Sequence, residues 1–221
     1  MKIYFDGCAK TLGADKNEIC ERWSTKLCQE LKADEYNISK SGSSNRRLCR
    51  NLFEHNLSEF DLFIIQMTKA KRWEYFDKET SEWCNVTEHK NNPHDNPKFY
   101  FDYVNSNPTV ENWKDVYWRE IYTDEQGQVD QKICYTCIKS LLRDHKHIIL
   151  YVGANEPNFS CDLKYVRGVD YEQGTWKVSK QDRFQGGVGR HLYWRDRMST
   201  SGGTLHDKIL EDVLSLLTRH K

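Results

Sequence analysis

Apolar and polar positions over the first 66 residues follow a strand–helix–strand–helix–strand order. Residues 2–6 form a short apolar run that ends in a carboxylate, which predicts a buried strand. Over residues 16–32 apolar side chains recur at every fourth position, which predicts a helix, and residues 35–38 predict a weak second strand. The stripe of that helix consists of Ile19, Trp23, Leu27 and Leu31.

A second helix is predicted over residues 45–57, and the strand signal in residues 61–66 is the clearest in the chain. In the helix, Leu48, Leu52 and Phe53 are expected to face inward. The strand is almost continuously apolar, which is typical of a central parallel strand buried on both faces. The β-α-β-α-β order favours a doubly wound sheet.

The pattern changes after this strand and then returns. Residues 69–108 are rich in aromatic and polar side chains and are interpreted as an insertion or long loop. Further along, the pattern predicts helices over 110–122 and 131–144, strands over 147–152 and 164–166, and a last helix from about residue 205. The whole predicts one α/β domain over residues 1–221, a three-layer, flavodoxin-like sheet of about five parallel strands with helices on both faces.

Composition narrows the function classes. Lysine plus arginine and aspartate plus glutamate both number 33, so the formal net charge is zero. No general nucleic-acid binding is expected from this balance, and the weak net repulsion permits self-association. No apolar run is long enough to span a membrane, and the first residues lack the pattern of a secretory signal, so the expected compartment is the cytoplasm.

Eight cysteines occur in the chain, and only Cys134 and Cys137 form a close pair. The pair lies within a predicted helix and has no second pair to complete a zinc site. We therefore expect buried free thiols, and we expect neither a metal nor a cofactor.

Three polar segments follow predicted strands, and in open α/β sheets ligands bind at that edge. The segments are Asp6-Gly7-Cys8-Ala9-Lys10-Thr11-Leu12-Gly13, Ser39-Lys40-Ser41-Gly42-Ser43-Ser44-Asn45 and Gln66-Met67-Thr68. Together they resemble the blocks of the SGNH (GDSL-like) hydrolase family, especially divergent members with Gly-Cys-Ser in the first block, common in phages. The resemblance covers the first 76 residues and the C-terminal helix.

The resemblance implies roles for individual residues. Gly7 and Cys8 match the first block, Ala9 stands at the nucleophilic serine, and Gly42 and Asn45 match the second block. Asp6 ends the first predicted strand and Thr68 follows a central one, so both are expected to line a ligand pocket at this edge. His206 is the best placed histidine for the catalytic base.

The same comparison shows three departures from the family pattern. A methyl group at Ala9 cannot attack a carbonyl, the third-block asparagine is absent, and Gly203 stands where an aspartate would orient His206. The sequence does not separate natural loss of the serine from an introduced Ala9. We therefore expect a protein with impaired or lost esterase activity that binds a small-molecule, ester- or carbohydrate-like ligand.

Two other functions stay open. Cys8 or Thr11 could serve as a substitute nucleophile, with His206 as base or with His191 and Asp196 as weaker rivals for base and orienting acid. Alternatively, the chain is a non-enzymatic interaction module that uses the aromatic residues of positions 73–103.

Overall fold

The computed structural model describes residues 1–14, 19–78, 81–86, 122–153, 157–166 and 205–219. The strands are β1 (Lys2–Asp6), β2 (Asp34–Asn37), β3 (Leu62–Met67), β4 (Trp73–Asp77), β5 (Glu82–Val86), β6 (His147–Gly153) and β7 (Leu163–Val166). The helices are α1 (Ala9–Leu12), α2 (Trp23–Leu31), α3 (Asn45–Glu54), α4 (Asp124–Leu141) and α5 (Leu205–Arg219). Two 3₁₀ turns cover Ile19–Glu21 and Leu57–Glu59.

Five strands form one sheet in the order β2-β1-β3-β6-β7, and every neighbouring pair is parallel. In the centre, Ile64 is opposite Phe5 on one side and Ile148 on the other. The flavodoxin-like fold class predicted from the sequence is therefore confirmed. The order places β1 between β2 and β3, so the chain reverses its direction of winding at β1.

Two apolar layers cover the sheet, one on each face. All six residues of β3 are buried, as the continuous apolar run predicts. Helices α2 and α5 pack on one face, and their buried residues there are Trp23, Leu27, Cys28, Ile209, Val213 and Leu217. Helices α3 and α4 pack on the other, and theirs are Leu48, Cys49, Leu52, Cys134 and Ile138, followed by Leu142 directly after α4.

Several predicted helix bounds and faces were wrong. Helix α2 begins at Trp23, after the 3₁₀ turn, and Ile19 is exposed instead of lying on the apolar stripe. Phe53 is 67% exposed, because the buried face of α3 is turned toward Leu48 and Leu52 and the next position points to solvent. Helix α4 begins earlier than predicted, where the Thr123 side chain accepts a hydrogen bond from the Gln126 N–H at 3.1 Å.

The region interpreted as an insertion or long loop contains an antiparallel hairpin, β4 with β5. The predicted helix over 110–122, apart from its last residue, and the candidates His191 and Asp196 lie outside the described residues. Among the helices that the structure describes, none combines the length and the hydropathy of a membrane span.

Candidate functional site

The three polar segments meet at the carboxyl edge of the sheet, because β1 and β3 are neighbours and end side by side. Asp6, the last residue of β1, is opposite Ile65 of β3. The chain leaves β1 for α2 on one face of the sheet and leaves β2 for α3 on the other. In such sheets this reversal opens the crevice in which ligands bind.

Asp6 is fully buried, and both of its carboxylate oxygens have donors. Its Oδ1 accepts from Arg47 Nη1 at 2.7 Å and from the Gly7 N–H at 2.8 Å. Its Oδ2 accepts from Asn51 Nδ2 at 2.7 Å. Both side-chain donors come from α3, so Asp6 fixes that helix against the end of β1.

Burial raises the pKa of Asp6 from 3.8 to about 6, against the opposing effects of Arg47, Asn51 and the Gly7 N–H. Arg47 also donates to the Ile38 carbonyl oxygen and, at 3.2 Å, to Ser43 Oγ. The guanidinium therefore joins the ends of β1 and β2 to the start of α3. This is a positioning network, with little of Asp6 open to a ligand.

Gly7 lies very close to β3. A Cβ at Gly7 would be 2.6 Å from Gln66 Cβ, so a larger residue would push the two strand ends apart. Gln66 in turn holds α1, since its Oε1 accepts from the Thr11 hydroxyl at 2.6 Å and from the Thr11 N–H at 3.1 Å. Thr11 is buried, and its hydroxyl proton points to Gln66.

Asn45 connects the second segment to the third. Its Oδ1 accepts from the Thr68 N–H at 2.8 Å, and its Nδ2 donates to the Thr68 carbonyl oxygen at 3.0 Å. From α4, Gln131 Nε2 donates to the same carbonyl oxygen at 2.6 Å. The exit of β3 is thus fixed between α3 and α4.

Arg72 joins all three segments. Its Nη1 donates to Thr68 Oγ1 at 2.7 Å, contacts Cys8 Sγ and lies 3.5 Å from the Ser43 carbonyl oxygen. Within the described ranges every hydrogen bond of Arg72 goes through Nη1. A guanidinium can bind an oxygen-bearing ligand through nitrogens that make no hydrogen bond within the protein.

Ala9 is half-buried and is the first residue of α1, directly after Cys8. Gly42 lies in the turn where the Ser43 N–H donates to the Lys40 carbonyl oxygen at 3.1 Å. Its φ of +75° is in the left-handed region, which explains a glycine at this position. The edge therefore carries a methyl group at Ala9, next in the chain to Cys8, whose thiol contacts Arg72.

His206 is buried at the start of α5 and faces α2. Its Nδ1 accepts a hydrogen bond from the Trp23 N–H at 3.3 Å, at the first turn of α2. A nitrogen that accepts carries no proton, so the ring proton is on Nε2. An ion pair between Lys26 and Asp207 at 3.0 Å joins the same two helices.

The structure thus brings Asp6, Gly7, Cys8, Asn45 and Thr68 into one network at the sheet edge. Sequence reasoning missed its supporting side chains, which are Arg47, Asn51, Gln66 and Gln131. One signal was present, since a buried carboxylate at the end of β1 needs a cationic or amide partner, and α3 carries both types one turn apart.

Comparisons with known proteins do not change this description of the fold and the site. No protein-family model matches the sequence, and a search of curated proteins gives no match. A crystal structure of a candidate GDSL-like lipase from Parabacteroides merdae is similar, with a TM-score of 0.33 and 17% sequence identity. The likeness covers 68% of this chain and 57% of that one, so this chain spans less than two thirds of that protein.

No group of three or more histidine, cysteine or acidic side chains in the described part of the chain is arranged to hold a metal ion.

Proposed function

We propose that this chain is an SGNH-like protein that binds an ester- or carbohydrate-like ligand beside Arg72, at the carboxyl edge of the sheet. In this proposal the protein has lost acyl transfer, because residue 9 is no longer a nucleophile. The observation that carries the proposal is the position of Ala9, a methyl group directly after Cys8, whose thiol contacts Arg72. A methyl group supplies no nucleophile, whereas a guanidinium can still bind a carbonyl, carboxylate or hydroxyl oxygen.

The position of His206 supports the loss of catalysis. A general base in acyl transfer needs an unprotonated nitrogen directed at the nucleophile. In His206 the accepting nitrogen, Nδ1, is engaged by the Trp23 N–H. The residue therefore acts on the N-terminus of α2.

The Asp6 and Asn45 networks support retained binding. They hold the ends of β1 and β3 against α3 and α4. Such a preorganised edge lowers the cost of ordering side chains when a ligand binds.

The test combines ester hydrolysis with ligand-induced stabilisation. We expect native protein to release no p-nitrophenol from p-nitrophenyl acetate above a protein-free blank. We expect glucose pentaacetate to raise the melting temperature of native protein. Arg72→Met should abolish this shift, whereas Arg143→Met should keep it, because Arg143 is exposed and lies outside the site.

Two outcomes would overturn the proposal. The first is native hydrolysis of p-nitrophenyl acetate that Ala9→Ser does not increase. The second is a melting-temperature shift that Arg72→Met leaves unchanged, since the ligand would then bind elsewhere.

A second candidate function, hydrolysis through Cys8, is favoured by the contact between the Cys8 thiol and Arg72. In this hypothesis the thiolate attacks the ester carbonyl, Arg72 holds the developing oxyanion, and the alcohol leaves. Water then hydrolyses the thioester, which releases the carboxylic acid and restores the thiol. Native protein would then hydrolyse p-nitrophenyl acetate, and iodoacetamide or Cys8→Ala would each stop the reaction. Activity that survives both treatments would remove this candidate.

A further inference from the structure

A second groove lies between α3, α4 and the β4–β5 hairpin. Its volume is about 720 Å³. Its lining shares no residue with the network that Arg72 forms with Cys8, Ser43 and Thr68. Three apolar side chains on its wall are exposed: Phe53 at 67%, Trp83 at 40% and Ile133 at 60%. The groove is therefore open to solvent and has an apolar wall.

Three thiols line this groove from two helices. Cys134 and Cys137 lie one turn apart on α4, and Cys49 faces them from α3. The Cys49 thiol donates to the Cys134 carbonyl oxygen at 3.4 Å, and all three cysteines are free. No local sequence pattern indicates this cluster, because Cys49 is far from the pair along the chain.

The environment makes the two facing thiols unlike each other. Contact between the two thiol groups themselves, with Cys49 as the donor, lowers the pKa of Cys134 against the effect of burial, and the charge of Arg46 also lowers it. The same contact between the thiols, followed by burial, raises the pKa of Cys49. Cys134 is thus the better nucleophile, and Cys49 keeps its proton.

We propose that this groove is a thiol–disulfide exchange site in which Cys134 attacks a small neutral organic disulfide and Cys49 resolves the product. The preference for a neutral over an anionic ligand follows because both arginines of the groove are already paired with carboxylates, which outnumber them. Arg46 lies 2.9 Å from Asp130, and Arg50 lies 3.3 Å from Glu74 and 3.0 Å from Glu54. The ring of Trp83, 4.6 Å from the Arg50 guanidinium carbon, offers a surface for an aromatic or apolar arm.

The reaction has two displacements. The Cys134 thiolate forms a bond to one sulfur of the disulfide, the sulfur–sulfur bond breaks, and one thiol leaves. Cys49 then loses its proton and attacks the Cys134 sulfur, which releases the second thiol. The protein is oxidised from two thiols to one disulfide, and the small disulfide is reduced to two thiols.

Dithiodipyridine is a suitable probe, because it is a neutral aromatic disulfide whose released thiopyridone absorbs light. With one equivalent of probe, we expect fast release of two thiopyridones per chain and a protein that is two hydrogens lighter by mass spectrometry. Peptide mapping should join Cys49 to Cys134. Cys134→Ser should slow the fast phase by about tenfold or more.

Matched variants isolate each step. Cys49→Ser should release one thiopyridone and keep the probe as a mixed disulfide on Cys134. Cys28→Ser should behave as native, because Cys28 is a buried thiol on the opposite face of the sheet.

Other results would overturn the proposal. Examples are a Cys134–Cys137 link, release of two thiopyridones from Cys49→Ser, or a native rate no faster than that of the urea-unfolded chain. Mapping the link in native protein gives a result even where a variant does not fold.

Discussion

Arg47 reaches from α3 to Asp6 at the end of β1, and the guanidinium Nη1 lies 2.7 Å from the carboxylate Oδ1. The Arg47 side chain is 12% exposed and the Asp6 side chain 0%, so the ion pair is shielded from water. A buried pair of this kind is costly to break, because the remaining charge has no solvent to stabilise it. The pair therefore controls both the stability of the sheet edge and its response to pH.

Removing the cation should destabilise the protein strongly. We expect Arg47→Met to lower the free energy of unfolding by about 3–5 kcal/mol at pH 7, since it leaves the Asp6 carboxylate without its main partner. Urea unfolding monitored by circular dichroism measures this. Arg46→Met is the control, with an expected loss below about 1 kcal/mol, because Arg46 is an exposed side chain on the same helix. Equal losses of unfolding free energy in the two variants would show that the buried Arg47–Asp6 pair stabilises the protein no more than an exposed pair does.

Asp6 should give the stability a recognisable pH dependence. Its pKa of about 6 in the folded protein exceeds the ordinary value of 3.8, so the folded state takes up the proton at higher pH than the unfolded chain does. The contribution of Asp6 to stability therefore falls as the pH rises from about 4 to about 6 and is constant above that. The change is on the order of 1–3 kcal/mol.

The measurement is the difference between native protein and Asp6→Asn in urea unfolding from pH 4 to 8. The difference should change only within the window between the two pKa values. Asp144→Asn, at an exposed position, is the control and should give a constant difference. A flat difference for Asp6→Asn as well would contradict the raised pKa.

His206 should be needed for the stability of the fold. His206→Ala removes the acceptor of the Trp23 N–H and should cost about 1–2 kcal/mol, because a buried donor is left without a partner. His206→Asn should recover part of that loss, since the amide oxygen can occupy the place of Nδ1. Thermal unfolding measures both variants. Equal melting temperatures for His206→Ala and His206→Asn would argue against the hydrogen bond from the Trp23 N–H to His206.

Gly42 should tolerate only residues that adopt left-handed backbone. With φ at +75°, Gly42→Ala should cost about 1 kcal/mol, and Gly42→Asn should cost less, because asparagine enters this region more readily. Urea midpoints of the two variants measure the difference. An alanine variant as stable as the asparagine variant would mean that the turn can change its conformation.

The sequence predicts the sheet well because its strands carry strong local signals. Leu62 to Met67 is apolar at nearly every position, and only a strand covered on both faces buries such a run. The exposed position of Phe53 could not be predicted, because adjacent positions on a helix differ by about 100° and small changes in its rotation decide which of them faces the core.

The candidate site could be predicted only in part, because its segments are local but its contacts are not. Gly7 and Gly42 mark the turns by residue type alone. The partners of Asp6, in contrast, are Arg47 and Asn51, which lie 41 and 45 positions further along the chain. No local pattern records that pairing. It depends on how α3 lies against the end of β1.

Strand β3 gains its second neighbour late in synthesis. Its pairing with β1 is complete once Met67 has left the ribosome, whereas the pairing with β6 waits for residues from His147 onward. During that interval β3 has one row of unpaired amide and carbonyl groups along an apolar strand, which is the type of edge that recruits other chains. The nascent protein is therefore most prone to aggregation between these two points.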